Sequence, residues 1–386
     1  MTELKKGISK FQLLGKVKLN DKTFAINQKG ANNSNYIYNQ LNLGVDCGKD
    51  EPNTVFAQMM GGYDTVKDSV IYCHGVKKDN NGNVVDDFDN QIQVPFKERY
   101  AEREDIADSC YISIGIVKDT NGNTVKKRFL SAYDAINYLK ENLVDETVVS
   151  VRGNLKFSSY QGKTQCKKEI TSIWVSTVKQ EDFKASFDQQ VWFTQDGFNE
   201  TPDEDGFMNI YGYVVDYFNK DVKNVCYPFS LAVDTKALPK YEIIIKNYLR
   251  PEKADGVNKV SVEGRWVKTD NSVEIKYEDL SEDLKAQVDL GMLTEEEALG
   301  RAVGNSRGEF KTLFKSIGTK KDAETGIITL LVDKENSKVE DIILAPQNKE
   351  VVEEVLDAVG TSVKKKTTTG DDGGVSQDVL NDLFGV

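Results

Sequence analysis

The stretch from Val148 to Trp174, VVSVRGNLKFSSYQGKTQCKKEITSIW, alternates apolar and polar residues over two long segments. Alternation with a period of two is the pattern of a half-buried β-strand. The apolar face of the first segment is formed by Val149, Val151, Gly153, Leu155 and Phe157. Gln161-Gly162 supplies the turn of a hairpin. Because glycine weakens the middle of a strand, Gly153 predicts a bend or a close backbone approach.

The length of 386 residues allows two or three domains and a sizeable core. Short apolar runs separated by Asn, Asp, Gly and Thr favour a β-rich protein. No stretch approaches the ~20 apolar residues that a membrane span needs. The first ten residues, MTELKKGISK, lack the apolar core of a signal peptide. We therefore expect a soluble, cytoplasmic protein without a membrane partner.

The net charge of −12 at pH 7 would by itself argue against nucleic acid as a partner. The charge is divided unevenly, however. Residues 1–180 contain 25 Lys and Arg against 22 Asp and Glu, whereas the remainder contains 25 against 40. This asymmetry is typical of a basic binding domain with an acidic partner or tail. The alternative is that the acidity only keeps the protein soluble.

The five cysteines are scattered, and no two of them have C-x-x-C spacing, so we expect reduced thiols rather than a zinc site. They are Cys47, Cys73, Cys110, Cys166 and Cys226. His74 is the only histidine, which excludes most catalytic triads. No Walker motif, G-x-S-x-G or H-E-x-x-H is present, and the Asp-rich KDNNGNVVDDFDN lacks EF-hand spacing. The sequence therefore predicts a protein that is not an enzyme and has no cofactor or metal.

Three alternating segments precede the hairpin and read as strands: Phe11–Leu19, Tyr36–Val45 and Thr54–Met60. The side opposite their apolar face carries Lys16, Lys18, Tyr36, Tyr38 and Phe56. Aromatic surfaces with lysines nearby are suited to stacking unpaired bases and holding phosphates. The alternative is that a second layer of structure covers this side.

Residues 65–130 contain two predicted hairpins, each turning at an Asn-Gly pair. The second hairpin returns through Lys126, Lys127 and Arg128. Ser131 is a suitable cap for a helix that ends near Leu143. Three strands, a helix and two closing strands follow the order of an oligonucleotide/oligosaccharide-binding (OB) barrel, with both hairpins inserted before the helix.

A second, degenerate OB barrel is predicted at residues 183–279. The segment KVSVEGRWVK echoes VVSVRGNLKF, so that Gly264 matches Gly153 and Trp266 matches Leu155. We match Met208–Phe218 to the first strand of the first barrel, with Tyr211, Tyr213 and Tyr217 pointing outward. Chance similarity is the alternative.

Residues 280–360 are expected to form a small α/β region. Ser281–Ile317 has helical spacing, Thr325–Ala345 suggests a hairpin, and Lys349–Val359 suggests an amphipathic helix. Residues 361–375 are low in apolar side chains and predict a disordered linker. The acidic, apolar segment 376–386 is expected to bind partner proteins. Its predicted contacts are Asp378, Leu380, Asp382, Leu383 and Phe384. A solvated tail without a role is the alternative.

The V-x-V-x-G strand, the basic hairpin and the acidic tail resemble the single-stranded-DNA-binding proteins of bacteria and bacteriophages. The resemblance implies an OB barrel, a flexible linker and a tail whose apolar tip docks onto replication or repair proteins. The chain departs from that pattern after Phe384, because that family usually ends in Pro-Phe. A longer, phage-encoded replication protein in the host cytoplasm is the best fit.

The expected fold is mainly β with some α: an OB barrel with inserted hairpins at 1–180, a second degenerate OB barrel, and the α/β region. The expected function is non-catalytic, sequence-independent binding of single-stranded DNA in replication, recombination or repair. Nucleic acid is expected to contact Lys16, Lys18, Tyr36, Tyr38, Phe56, Lys126, Lys127, Arg128, Arg152, Lys156, Lys163, Lys167, Lys168 and Trp174. The alternative is a β-rich virion or tail-assembly protein. Homo-oligomerisation stays open.

Overall fold

The computed structural model describes residues 3–30, 34–101, 103–160, 163–199, 201–219, 221–268, 310–322 and 325–346, with a few positions between 277 and 295. The first part contains β1 (Ser9–Lys18), β2 (Phe24–Lys29), β3 (Tyr36–Asp46), β4 (Thr54–Asp64), β5 (Val70–Lys78), β6 (Val84–Pro95), β7 (Ile112–Lys118), β8 (Thr124–Phe129), α1 (Ala132–Asn142), β9 (Val148–Tyr160) and β10 (Lys163–Val175). The second part contains β11 (Lys184–Phe193), β12 (Phe207–Asn219), β13 (Lys223–Asp234), α2 (Tyr241–Ile244), β14 (Gly256–Lys268), β15 (Phe310–Ile317), β16 (Thr319–Lys321), β17 (Ile328–Leu330) and β18 (Val332–Lys338).

Five strands of the first part close into a barrel in the order β1, β3, β4, β10, β9 and back to β1. Neighbouring strands are antiparallel except β4 and β10, which run parallel with Gln58 opposite Glu169. Along the chain, α1 falls between β4 and β9, the third and fourth barrel strands. This strand order and helix position define an OB fold, so the expected fold class is confirmed.

The alternating apolar residues of these strands fill the first barrel. Those with no exposed surface are Leu13, Val17, Leu41, Leu43, Val45, Val149, Val151, Leu155 and Ile173. α1 packs Ala135, Ile136 and Leu139 into the same core. The helix begins where expected, because the Ser131 hydroxyl accepts the backbone N–H of Tyr133.

Gly153 is required by a close approach, as its position in mid-strand predicted. A Cβ atom at this position would lie 1.8 Å from the carbonyl oxygen of Glu169 and 2.7 Å from the ring of Phe11. The match between Gly153 and Gly264 also holds in three dimensions. A Cβ atom at Gly264 would lie 2.0 Å from the ring of Phe187 and 2.5 Å from the carbonyl oxygen of Leu313.

A second OB barrel closes in the order β11, β12, β13, β15, β14 and back to β11. Its third and fifth strands again run parallel, with Ala232 opposite Leu313. α2 and the π-helical turn Ile245–Leu249 lie between β13 and β14, the third and fourth strands, where the first barrel has α1. The first strand is β11, and Met208–Phe218 belongs to the second strand. Our match of that segment to the first strand of barrel one was therefore wrong.

The closing strand β15 lies beyond the boundary of residue 279 and inside a segment for which we expected helices. Phe310, Leu313, Phe314 and Ile317 do have helical spacing. The segment is nevertheless a barrel strand, and it contains a β-bulge, because its register with β14 skips Lys315. The bulge allows both Phe314 and Ile317 to be buried. The helical prediction for 310–317 was wrong for this reason.

The two barrels are joined through their first strands. β1 and β11 pair antiparallel, with Phe11 opposite Phe187. Phe11 is also paired with Gly153, and Phe187 with Gly264, so the two barrels are related by an approximate two-fold axis near this phenylalanine pair. One apolar core runs through both barrels.

Both inserted hairpins are present as expected. β5 pairs with β6 as a separate two-stranded sheet, and β7 pairs with β8. The Asn-Gly turns place Gly82 and Gly122 at φ +82°, the left-handed region that glycine adopts without strain. β7 also runs parallel to β10, so the second hairpin extends the sheet of the first barrel.

The described C-terminal segment wraps the second barrel. β16 pairs with β17, and β18 pairs with β14. The N–H of Ala345 donates to the carbonyl of Cys226 at 2.9 Å. The hairpin expected within 325–345 is therefore not formed, since its second half lies along β13 instead. The predicted helix 349–359, linker 361–375 and tail 376–386 lie outside the described residues. Within the described ranges, no helix combines the length and apolarity that crossing a bilayer requires.

Candidate nucleic-acid interface

The outer side of β3 and β4 in the first barrel carries exposed apolar side chains. Phe56 is 49 % exposed and Met60 is 42 % exposed, with Gln58 between them on the same side of β4. Gly44 lies opposite Phe56 on β3, and the phenylalanine ring lies 3.2 Å from where a Cβ atom of Gly44 would be. The Phe56 ring therefore lies over Gly44, and its exposed side is open to a planar base.

Tyr36 and Tyr38 occupy the expected side of β3, but their exposure differs from the prediction. Tyr38 is only 2 % exposed, and its ring packs against that of half-buried Tyr36 with centroids 6.4 Å apart. β2 extends the sheet beside β3, so that Tyr38 lies between Gln28 and Gly62 of the two neighbouring strands. Tyr38 therefore contributes to packing and is not available to stack on a base. We withdraw it from the interface.

Two of the predicted phosphate-binding lysines, Lys16 and Lys18, lie on β1. Lys18 lies in the same cross-strand row as Gly44 and Phe56. Both lysines form ion pairs with Glu146, which raises the pKa of Lys18. An exposed ion pair of this kind contributes little to stability. A phosphate can therefore compete with Glu146 for these lysines.

The cations of the β9–β10 hairpin lie in different environments. Arg152 and Lys163 are exposed, and Lys156 is half-buried. Desolvation lowers the pKa of Lys167. Lys168 lies 4.3 Å above the ring of Trp266 in the second barrel, and burial lowers its pKa. Lys168 is therefore part of the contact between the barrels rather than an open phosphate site.

The basic return strand β8 lies two strands beyond β10. Lys126 and Arg128 both pair with Asp108, at 3.6 and 2.6 Å, and Arg128 also lies over the ring of Tyr111. Lys127 is exposed. β10 and β7 lie between β8 and β4, so the cations of β8 are separated from the strand that carries Phe56.

Trp174 is also engaged in packing. Its ring lies over Gly115 of β7, where a Cβ atom would approach the indole to 2.3 Å. The half-buried indole therefore joins β10 to the inserted hairpin. Stacking on a base at this position would require the indole to leave β7.

The second barrel has an exposed aromatic residue at the equivalent place, which our residue predictions did not include. In each barrel, one residue of the third strand pairs with the parallel fifth strand: Gln58 in the first barrel and Ala232 in the second. We use these two residues to align the positions of one barrel with those of the other. Two residues away, the cross-strand pair is Gly44–Phe56 in the first barrel and Tyr211–Ser230 in the second. Tyr211 is 45 % exposed. Matching β12 to β3 instead of β1 would have identified it from the sequence.

The described part of the β9–β10 hairpin packs against the second barrel. Phe157 packs against Tyr227 and Phe229, with ring centroids 6.4 and 5.8 Å apart. Buried Asp216 accepts the N–H of Phe157 at 2.9 Å and pairs with Lys6 at 2.6 Å. Burial lowers the pKa of Lys6, and the ion pair with Asp216 partly offsets this effect.

Between the hairpin and the second barrel lies a groove of about 650 Å³. Lys163, Thr164 and Cys166 line it from the hairpin. The opposite wall belongs to β12, β13 and the loop after β11, with Tyr211, Tyr213, Pro228, Phe229, Asp196 and Gly197. Both barrels therefore build this groove, with an aromatic floor and an exposed lysine at its rim.

A related contact joins the other ends of the two barrels. Asn53 accepts the N–H of Lys268 at 3.0 Å and donates to the carbonyl of Trp266 at 3.0 Å. A groove of about 420 Å³ lies beside it, between the loop preceding β4 and the second barrel. Its charged lining residues are four cations, Lys49, Lys184, Arg265 and Lys268, and two carboxylates, Asp50 and Glu51. This basic groove begins three residues before Phe56, so the first barrel also combines an aromatic ring with nearby cations.

Comparison with known proteins adds two observations. A family model described as YorF matches residues 116–295, a little under half of the chain. No curated protein matches the chain.

The chain is also similar to solved structures of the single-stranded DNA binding protein from Thermus aquaticus. The wild-type protein shares 9 % identity over 69 % of this chain and 87 % of that chain, with a TM-score of 0.30. A deletion variant of that protein shares 10 % identity over 68 % and 88 %, with a TM-score of 0.31. The OB fold assignment given above rests on the strand pairing and not on this similarity.

Proposed function

We propose that this protein binds single-stranded DNA without catalysis and without sequence preference, using both OB barrels. The observation that carries the proposal is the pair Phe56 and Tyr211. The two rings are each about half exposed and occupy equivalent places on the two barrels. The outer side of the second and third strands is where OB barrels bind oligonucleotides. Stacking on an exposed ring contributes ~1–3 kcal/mol per base.

The charge around these rings fits a phosphate backbone. On the first barrel, Lys18 lies in the row of Phe56, and the loop that precedes the strand of Phe56 lines a groove with Lys49, Arg265 and Lys268. On the second barrel, Lys163 lines the groove that contains Tyr211. Neutralising phosphates releases counterions, so binding should weaken as salt rises. Stacking and phosphate contacts do not read base edges, which supports binding without sequence preference.

We place this activity in DNA replication, recombination or repair, in the cytoplasm of a host cell infected by a phage. Segment 376–386 would recruit replication or repair proteins through Leu383 and Phe384, while its acidic residues compete weakly for the DNA site. The resemblance in tail composition supports this part of the proposal. The virion-protein alternative does not call for aromatic residues at matched places on two barrels.

Fluorescence anisotropy of labelled, unstructured oligonucleotides tests the proposal. Full-length protein should bind oligo-dT and a mixed unstructured sequence with affinities within about threefold, and both affinities should fall steeply with salt. Duplex DNA of equal length is the control and should bind more weakly, because its bases are not free to stack. Absence of binding to either single strand at low salt would contradict the proposal.

A further inference from the structure

The only histidine of the chain lies between a thiol and a carboxylate. The Sγ atom of Cys110 is 3.3 Å from Nδ1 of His74, and a carboxylate oxygen of Asp86 is 3.2 Å from Nε2. The hydroxyl of Ser109 lies 3.0 Å from Nε2 and donates to Asp86 at 2.6 Å. The residues come from β5, β6 and the 3-10 turn Asp108–Cys110, so only the folded insertion brings them together.

This order of groups is the arrangement that activates a cysteine. The imidazole accepts the thiol hydrogen at Nδ1, while Asp86 orients the ring and stabilises its positive charge from Nε2. The hydrogen bond from Ser109, and then the contact with His74, lower the pKa of Asp86, which keeps it a carboxylate. The ring of Phe88, 4.5 Å from the imidazole, covers one side of His74.

A second thiol borders the first. Cys73 precedes His74 on β5, is 6 % exposed, and interacts with the thiol of Cys110. Burial, and then the neighbouring Cys110, raise the pKa of Cys73 to about 11. Cys110 is half-buried and receives the backbone N–H of His74 at 3.3 Å. The two thiols therefore differ, since one is accessible and paired with a base whereas the other is buried and protonated.

We propose that Cys110 is a reactive-thiol site for peroxides, with His74 and Asp86 as its activating groups and Cys73 as the resolving thiol. In the described residues, no group of three or more His, Cys, Asp and Glu side chains is placed to hold a metal ion. The site lies in the inserted hairpins, apart from the aromatic residues of both barrels.

The chemistry balances in two steps. The Cys110 thiolate attacks the terminal oxygen of a peroxide, so that an S–O bond forms and the O–O bond breaks, and His74 returns the thiol proton to the leaving oxygen, which departs as an alcohol or water. The sulfur of Cys73 then attacks the sulfenic sulfur of Cys110: an S–S bond forms, the S–O bond breaks, and the proton of the Cys73 thiol leaves with the hydroxyl group as water. In sum, two thiols and one peroxide yield a disulfide, an alcohol or water, and one further water. The disulfide would tie β5 to the segment that leads into β7.

The test is peptide mapping by mass spectrometry after treating full-length protein with one equivalent of hydrogen peroxide and blocking free thiols with N-ethylmaleimide. A Cys73–Cys110 linked peptide that has lost two hydrogens is expected, with the other three cysteines still reduced. Cys166 is the matched control, because it is also half-buried but burial raises its pKa to about 11. Cys110 should be oxidised at least about tenfold faster than Cys166.

Three variants sharpen the result. His74→Gln should slow the oxidation of Cys110 by about tenfold, and Asp86→Asn should slow it less, because Asp86 acts through His74. Cys73→Ser should leave Cys110 as a sulfenic acid that dimedone traps. Equal oxidation rates of Cys110 and Cys166 in the unmodified chain would overturn the proposal, and this comparison does not depend on any variant folding. A free Cys73 beside oxidised Cys110 would overturn its resolving role.

Discussion

The two barrels have the same strand order but present their aromatic residues differently. In the first barrel, Phe56 projects from the third strand over a glycine of the second strand. In the second barrel, Tyr211 projects from the second strand opposite Ser230 of the third strand. The ring occupies the same place on the barrel although the residue that supplies it comes from the neighbouring strand. Position on the surface, and not position in the chain, is therefore what the two barrels share.

The surroundings of the two rings also differ. Phe56 lies on an open surface next to the basic groove, whereas Tyr211 lies in a groove that the β9–β10 hairpin of the first barrel partly covers. The hairpin is fixed by Asp216 and by the packing of Phe157 on Tyr227 and Phe229. The second site therefore depends on the first barrel for part of its wall, and the two barrels are expected to work as one unit.

The largest expected effect concerns Gly153 and Gly264, which occupy matching positions in the two barrels and leave no room for a side chain. Gly153→Ala should lower the free energy of unfolding by about 3 kcal/mol, because the new Cβ atom would collide with the backbone carbonyl of Glu169. Gly264→Ala should lower it by a similar amount. Gly44→Ala is the matched control, since it points outward, and we expect a loss of about 0.5 kcal/mol. Urea unfolding monitored by circular dichroism measures all three.

Equal stability of Gly153→Ala and the unmodified protein would show that the bend tolerates a side chain. A large loss for Gly153→Ala and none for Gly264→Ala would instead show that the two barrels do not close in the same way.

The next effect concerns DNA affinity. Phe56→Ala and Tyr211→Ala should each reduce it about tenfold, and the double variant about a hundredfold, because each removes one stacking ring. Anisotropy titration at fixed salt measures the affinity. Tyr217→Ala is the control, since Tyr217 is 52 % exposed on the same strand as Tyr211 but further along it.

If Tyr217→Ala weakens binding as much as Tyr211→Ala, any exposed aromatic ring on β12 contributes to DNA affinity. The matching positions of Phe56 and Tyr211 on the two barrels would then not explain the effect. If only Phe56→Ala weakens binding, the second barrel does not bind the strand.

A smaller effect concerns two of the polar contacts between the barrels, those of Asp216 and Asn53. Asp216→Ala should cost about 2 kcal/mol of stability, because it leaves the buried N–H of Phe157 and the ammonium of Lys6 unpaired. Asn53→Ala, at the related contact, should cost about 1 kcal/mol because its partners are neutral backbone groups. Chemical unfolding compares the two variants directly, and a larger loss for Asn53→Ala would reverse our ranking.

The smallest effect concerns the C-terminal segment. Deletion of residues 370–386 should raise DNA affinity about two- to threefold at low salt, because the acidic groups act as a tethered competitor for the phosphate sites. A full-length control with Asp371, Asp372, Asp378 and Asp382 changed to Asn should behave like the deletion. Unchanged affinity in both variants at low salt would show that the tail does not compete for the site.

Local sequence patterns predicted the first barrel well. Strand alternation, the Ser131 cap and the Asn-Gly turns are set by neighbouring residues, and Gly153 stands out within its strand. The closing strand of the second barrel was not predictable in this way. Its bulge at Lys315 gives the buried residues helical spacing, and the first barrel has a corresponding irregularity between Ile170 and Ser172.

The candidate site was predicted less well than the fold, because exposure depends on what covers each strand. Period-two alternation placed Tyr38 on the correct side, but the neighbouring β2 and its stacking on Tyr36 bury it. Lys168 and Trp174 were expected to contact nucleic acid, but both side chains pack on elements that are distant in sequence. Such tertiary contacts cannot be predicted from the local alternation of apolar and polar residues.

Ultraviolet crosslinking of a single bound oligo-dT strand, followed by peptide mapping, tests most directly whether both barrels bind one strand. We expect crosslinked peptides from β4, containing Phe56, and from β12, containing Tyr211, at one strand per protein. Both crosslinks should disappear when excess unlabelled oligo-dT is added. Crosslinks confined to one barrel, or found only on the inserted hairpins, would contradict the account.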